Sequence, residues 1–548
     1  MSLLLIGAFV VGCDVGGNLP ARPHQFASNI TSLSENRATS IDDSLFALAL
    51  VRASQEDEAA ESRPEQGTGE SRRPEGSGDQ PDKEEPANAE EHASHRPVPT
   101  WVTALFGIIL VGMIAALAFE EKIHAKKSII VGSFAGLCLI LGTVIKLMPF
   151  GEIHLPNGDK LPLPVYIPAI DWGVITIILG ASLFVEVTSK SGVFSWLAIM
   201  LTRKSGGDPW WLLVYYGVLT VVFSAVLNNV TAMIIIGSLT TVSLKKLNRT
   251  DLLLGFLITE GLLTNVGGLL TLISSVPNII VGNAAGISFT QFFFVAAPYV
   301  AAATVVTLLM AKWIFGIAGL KSDEDKAKAK TLVESFDPAE SVPSKTFFWF
   351  SVAALMAFIA CLAGQAALPW GLDKLGMGWV ALFFAGCVLW AYRHDVDKFY
   401  SAIDWDLLAF FAALFVVINV MEHAQVLAVL GNGISALLDL PDGVDSSSLL
   451  VSSAVASSVT DNIPLAAMLG KILVQLKTAG DSPFWWCVIF GANLGGNITP
   501  IGSASTVVAM TIIQRQKLGL TFVGFVKAAV PFAVVQLVLA IAYVLLFV

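Results

Sequence analysis

Apolar stretches of about twenty residues, each closed by a short polar break, follow one another from Trp101 to Val548. That is the length an α-helix needs to cross about 30 Å of hydrocarbon. The plain spanning stretches are 101–119, 128–147, 170–189, 291–313, 346–367, 377–392, 404–421 and 521–547. Basic residues orient them. With Lys122, Lys126 and Lys127 in the cytoplasm, Arg203, Lys204, Lys245, Lys246, Arg249, the Lys-rich stretch 321–345, Arg393, Lys398, Arg515 and Lys517 fall on the same side. Segments 149–169 and 282–290 then lie outside, with Lys160 as their one lysine.

Segment 205–244 breaks this alternation, because it is apolar at both ends yet flanked on both sides by cytoplasmic-type basic clusters. A hairpin that enters from the cytoplasm, turns near the midplane and leaves again satisfies both flanks. Its centre reads Ser224-Ala225-Val226-Leu227-Asn228-Asn229-Val230-Thr231. Irregular backbone at that depth is tolerated only where protein or water satisfies its polar groups.

The chain also repeats itself. Ile170-Asp171-Trp172 returns as Ile403-Asp404-Trp405, 233 residues on, and Asn228-Asn229-Val230-Thr231 meets Asp461-Asn462-Ile463-Pro464 at the same displacement. Thr264-Asn265-Val266-Gly267-Gly268 is answered by Ala492-Asn493-Leu494-Gly495-Gly496. Trp172 begins a span from outside and Trp405 one from inside, so the two copies are expected to be inverted, with a second hairpin near 446–476. The predicted fold class is an all-α polytopic membrane protein of two inverted repeats, each with a re-entrant hairpin and a broken helix. Its expected divisions are a signal-like and disordered acidic extracytoplasmic tail (1–100), scaffold helices (101–169), a first transport repeat (170–317), a cytoplasmic loop with linking helices (318–403) and the inverted second repeat (404–548). Such repeats with discontinuous helices build secondary transporters.

Each copy supplies two polar interruptions at membrane depth. The candidate ion or substrate site takes in Asn228, Asn229, Thr231, Thr264, Asn265, Gly267, Ser275 and Asn278 from the first copy. From the second it takes Ser458, Thr460, Asp461, Asn462, Asn493, Gly495, Asn497, Ser503 and Thr506. Glycines permit unwinding, freed carbonyls can hold a cation, and half-helix N-termini favour an anion. A carboxylate in the bilayer costs several kcal/mol unless it is paired or solvated, so Asp461 is expected to bind a cation, titrate, or both. Sodium is the candidate metal, at Asn229, Asp461 and Asn462. Glu260 is read as near a span end, where it lines an access path or reaches the interface; Glu186 is read as an acid within a span that reaches the interface, and Asp171 and Asp404 as helix caps.

Composition agrees: 55% of residues are apolar, 14% charged, and the mean hydropathy is +0.71. Much of the acid behind the formal charge of −10 lies in the N-terminal segment, and no basic tract mixed with aromatics supports nucleic-acid binding. Residues 1–13 read as the core of a secretory signal with a lipoprotein-like box at Cys13, and the stretch from about Gln55 to Pro97 as a disordered tether. The other four cysteines have no metal-type spacing and are expected to pack. No Walker, HExxH or Ser–His pattern appears, so the expectation is a non-enzyme without cofactors, apart from sodium or protons as coupling ions.

The stretches SAVLNNVTAMIII, TNVGGLLTLISSVPNIIVGNAAGISF, SSVTDNIPLAAM and ANLGGNITPIGSAS resemble the ion transporter superfamily. More narrowly they are similar to the citrate-transporter-like permeases, a group holding arsenite-pump membrane subunits, NhaD-type sodium/proton antiporters and P proteins. The resemblance implies a scaffold and a moving transport domain, often in a homodimer, in the inner cell membrane. Relatives of the P-protein type usually show Asp-Asn where this chain has Asn228-Asn229, and Gly-Asp-Pro-Pro-Asn where it has Ser274-Ser275-Val276-Pro277-Asn278. The serine-asparagine-threonine signature of dicarboxylate carriers is absent too. The expected function is cation/proton exchange by alternating access; the alternative is a permease for arsenite or another inorganic or organic anion, and a third class is a receptor that kept the fold without transport. The expected partners are a small ion and the lipid bilayer.

Overall fold

The computed structural model describes residues 98–148, 153–154, 160–161, 163–369, 371–401 and 403–548. The signal-like run, Cys13 and the acidic tract to Pro97 lie outside the described residues. The described residues form one compact helical unit.

It opens with α1 (Thr100–Ala118) and α2 (Lys127–Val144). A first series of helices follows: α3 (Trp172–Lys190), α4 (Val193–Lys204), α5 (Pro209–Val226), α6 (Asn229–Lys246), α7 (Leu253–Gly267), α8 (Val276–Ala284) and α9 (Phe289–Ile314). Then come α10 (Asp323–Glu334), α11 (Lys345–Ala363) and α12 (Gly376–Ala391). The second series is α13 (Trp405–His423), α14 (Val426–Leu438), α15 (Val444–Val459), α16 (Asn462–Gln475), α17 (Pro483–Gly495), α18 (Ala504–Arg515) and α19 (Phe522–Phe547). A two-residue antiparallel ladder, Ile153–His154 with Lys160–Leu161, lies between α2 and α3.

Local chemistry explains where the helices start. Asp171 accepts from Val174 N at 3.1 Å and Asp404 from Leu407 N at 3.0 Å, the cap role read for both. Ser288 and Thr521 cap α9 and α19 likewise. Each cap recurs at the same place in the second series, so duplicated sequence becomes duplicated local structure.

Nine helices among the described residues are long and apolar enough to cross a membrane, which makes this a multi-pass membrane protein. Eight coincide with the plain spans. The ninth is α5, read from its flanks as one limb of a hairpin but sufficient by length and composition alone. In α1 only the stripe Val102, Phe106, Leu110 and Met113 is buried, while Ile108 and Val111 face outward. An apolar outer face is what lipid requires, because acyl chains take the place of a core there.

The long-range packing pairs the first helix of each series with a helix outside both, and joins helices within each series. α12 lies along α3 and α2 along α13, while α5 packs on α7 and α15 on α17. Close approach needs small residues: a Cβ on Gly180 would stand 2.5 Å from the Ala381 carbonyl carbon. Cys138 and Cys487 are buried in this packing.

Candidate functional site

Two hairpin tips and two broken helices meet around one cavity. α5 stops at Val226, Leu227 is extended, and Asn228 caps α6 by accepting from Thr231 N at 2.8 Å. In the second series α15 stops at Val459, Thr460 is extended, and Asp461 caps α16 by accepting from Ile463 N at 3.1 Å. α7 ends at Gly267 and the chain resumes as α8 behind extended Ser275; α17 ends at Gly495 and resumes as α18 behind Ser503. Ser503 and Thr506 close a reciprocal cap, side chain to backbone in both directions. The starts of α6, α8, α16 and α18 therefore all open on a cavity of about 760 Å³, lined in part by Asn228, Asn229, Thr231, Ser274, Ser275, Asn462, Ser503 and Ser505.

Behind the lining, the two series interlock. The Asn265 amide donates to Asn497 Oδ1 and to Ser503 Oγ, both at 2.8 Å, and its oxygen accepts from Ser505 Oγ at 2.8 Å. In the converse direction, Asn493 accepts from Ser275 Oγ at 2.8 Å and donates to Asn278 Oδ1 at 2.9 Å. Asn265 and Asn493 are matched residues, as are Ser275 and Ser503, so each copy reaches into the break of the other. Supporting contacts recur too. Ser224 Oγ donates to Thr264 O and Ser457 Oγ to Ala492 O, both at 2.6 Å. Thr271 Oγ1 donates to Ala225 O at 2.5 Å and Thr499 Oγ1 to Ser458 O at 2.6 Å.

The residues singled out from sequence thus divide by role. Asn228, Asn229, Thr231, Ser275, Asn462 and Ser503 line the cavity. Thr460 and Asp461 line an adjoining cavity of about 790 Å³. Asn265, Asn278, Asn493 and Asn497 are buried and tie the breaks together, and the Thr264 hydroxyl donates to Glu260 O at 2.8 Å. The Ser458 hydroxyl is spent on Val455 O. Gly267 and Gly495 are contact glycines, with Val221 and Ala454 backbone where a Cβ would go.

Asp461 does not stand alone. Lys127 Nζ lies 2.5 Å from its Oδ2, and Lys127 lines both cavities. From sequence, Lys127 served only to orient the first spans; a lysine at a span start reads as an interfacial anchor. Beside it, Ser128 Oγ donates to Asp406, joining the start of α2 to that of α13. Gln536 was also missed. It is 1% exposed inside α19, accepting from the Asn497 amide and donating to Thr307 Oγ1. A single Gln in the apolar run 521–547 was the signal available.

Glu260 corrects its expected place. It is fully buried and lines neither cavity, with Thr240 Oγ1 donating to its Oε1 at 2.5 Å. Among the described residues its Oε2 has no partner. Glu260→Gln keeps the volume and the acceptor, and is expected to change stability by less than about 1 kcal/mol. Glu260→Leu strands the Thr240 hydroxyl and is expected to cost about 1–3 kcal/mol. Thermal unfolding in detergent distinguishes them; equal melting temperatures would mean that the Thr240 bond contributes nothing. Glu186 pairs with Lys190 at 3.0 Å, and His423 Nδ1 meets Asn419 O at 2.8 Å, so both are engaged within their own helices.

Over 381 residues the chain is 28% identical to an uncharacterized transporter of Mycobacterium tuberculosis, covering 68% of this chain and 86% of that one. It is 25% identical over 510 residues to the P protein of Homo sapiens, spanning 80% of this chain and 59% of that longer one. The solved YdaH transporter of Alcanivorax borkumensis shares the fold, with a TM-score of 0.51 at 15% identity over 77% of this chain and 98% of that one. The sequence profile of the citrate transporter family matches residues 93–491. On the strength of that match, which takes in both hairpin tips and the first of the two helix breaks, the chain belongs to the citrate transporter family of membrane transport proteins.

Proposed function

We propose that this transporter carries a small anion, with a carboxylate such as citrate as the first class to test, by alternating access of its hairpin tips to the two sides of the membrane. One observation carries the reading: the N-termini of α6, α8, α16 and α18 converge on a single cavity that Lys126 and Lys127 also line. Each helix start presents unpaired N–H groups and the positive end of its dipole, which favours an anion in a site shielded from water. Discontinuous helices hold substrate carboxylates in this way in secondary transporters. The citrate family match agrees with it, although the serine-asparagine-threonine signature is absent.

Cation/proton exchange is the second reading, favoured by the Asp461 carboxylate at the second hairpin tip. Lys127 already balances that charge, which is why the anion reading comes first. The interlock of Asn265 and Asn493 supports two copies set in opposite senses, and the distribution of basic residues supports an extracytoplasmic N-terminal tail at the inner membrane. A homodimer with a moving transport domain fits the same arrangement.

The test is uptake into proteoliposomes of labelled citrate, succinate, phosphate and arsenite, with internal pH followed while sodium is added. Saturable uptake of one anion, abolished when Asn229 and Ser503 are both replaced by Leu, is the expected result. Sodium-evoked proton movement without uptake of any anion would replace this reading by the second.

A further inference from the structure

We infer that Lys127 and Asp461 form an exchangeable ion pair that joins an anion site in the first cavity to a small-cation site in the second, so that each ligand promotes binding of the other. This deepens the anion reading and rests on it.

The pair stands in the wall between the two cavities. Lys127 lines both, whereas Asp461 lines only the second, whose other walls include the apolar Ile114, Leu465, Met468 and Phe522. The side chains are 35% and 17% exposed, so neither charge is sealed off from a mobile ion. The ammonium at 2.5 Å occupies the place beside Oδ2 that a small cation would take. An anion among the four helix starts attracts Lys127 away from Asp461. The carboxylate left behind in apolar surroundings then attracts a cation. Conversely, a cation at Asp461 releases Lys127 toward the first cavity. Two ligands that compete for opposite members of one ion pair raise each other's affinity by the same factor. The other charged or titratable groups lining the first cavity are Glu120, His124, Lys126, Asp404, which caps α13, and Asp406. Asp406 is engaged by Ser128, and Glu120 lines both cavities.

The neutral half of the molecule supplies an internal comparison. Asp461 matches Asn228 in the first copy. Ser128 bonds Asp406, and Gly378 lies against Gly173, which matches Asp406; Lys127 therefore corresponds to Met377. Both charges are absent together from the matched pair Met377 and Asn228, as expected if they serve one purpose and have none singly.

The experiment measures citrate binding by calorimetry on the purified full chain, in sodium, lithium or potassium chloride against choline chloride at equal ionic strength. In the wild type, one of the metal cations should tighten citrate binding on the order of tenfold. Asp461→Asn should bind with the tight constant in choline and ignore the cation. Lys127→Met should bind weakly and ignore it too. The double variant carries no unpaired charge and serves as the folding control; it should also be weak and indifferent to the cation. Cation dependence that persists in Asp461→Asn or in the double variant overturns the inference, as does a wild type that binds citrate equally in all four salts; either result leaves the anion reading standing. If no form binds citrate, nor succinate, phosphate or arsenite in the same titrations, the anion reading falls and the inference falls with it.

Discussion

Asn493→Leu is expected to reduce uptake of whichever anion the wild type carries by about a hundredfold and to lower the melting temperature by several degrees. Asn493 is 1% exposed, and its amide bridges the two copies. Leucine has nearly the same volume, so the loss is one of partners rather than of packing. The Ser275 hydroxyl loses its acceptor and Asn278 Oδ1 loses a donor, each at a cost of about 1–3 kcal/mol where water does not reach. Ser275 also stands at the start of α8 and lines the cavity, so its reorientation disturbs one of the four converging helix ends. Asn493→Asp is the sharper comparison. It keeps shape and the acceptor for Ser275, but sets an oxygen where an NH₂ now donates to Asn278 Oδ1 at 2.9 Å and Ile489 O at 2.8 Å. Oxygen facing two acceptors is repulsive, so aspartate should be as damaging as leucine. Uptake into proteoliposomes and thermal unfolding check both; wild-type uptake by Asn493→Asp would mean that the interlock does not shape the site.

What could be read from sequence and what could not follow from the range of the interactions. Asp171 and Asp404 each close a turn within three residues, so their caps were visible as polar residues at the edge of an apolar run; Asn228 and Asp461, read as hairpin-tip site residues, turn out to cap in the same way. The breaks after Val226 and Val459 were legible for the same reason, since an Asn or Asp inside such a run is costly unless the helix stops there. The site's wiring was not. Lys127 and Asp461 are 334 positions apart, and Asn265 and Ser503 are 238 apart. Nothing local marks such partners; the repeat could say that Asn265 and Asn493 match, but not that each binds the other's copy. Glu260 fails differently. Every residue of α7 except the half-buried Leu254 is buried, so a helix read as ending at an interface is in fact enclosed by protein along nearly its whole length. Its small residues Gly255, Thr259, Gly261 and Thr264 are the trace this leaves in the sequence, and apolar run lengths do not register them.

Gly495→Ala is expected to lower stability by about 1–3 kcal/mol, although the change favours a helix when considered locally. Alanine is better than glycine inside a helix by about 1 kcal/mol, so propensity alone predicts a gain at the end of α17. Packing opposes it. A Cβ on Gly495 would stand 2.3 Å from Ala454 O and 2.7 Å from Ser457 Cβ, and one on Gly491 would stand 2.6 Å from Leu450 O. Gly491-Ala-Asn-Leu-Gly495 is thus a small-residue face against which the α15 backbone rests directly, the device membrane helices use for close approach. Its counterpart is Gly267, where a Cβ would lie 2.7 Å from Val221 Cα. Backbone cannot rotate aside as a side chain can, so α15 must retreat. Ser457, bonded to Ala492 O, and Ser458, bonded by Thr499, retreat with it and take the second hairpin tip out of register with α18. Gly433 in α14 is the control, because a Cβ there meets nothing within 4 Å and Gly433→Ala should be neutral or stabilising. Opposite signs for Gly495→Ala and Gly433→Ala in thermal unfolding are the expected outcome. A Gly495→Ala protein that melts at or above the wild-type temperature would show that α15 and α17 do not close as tightly as these distances require, and the position of Asp461 would need another cause.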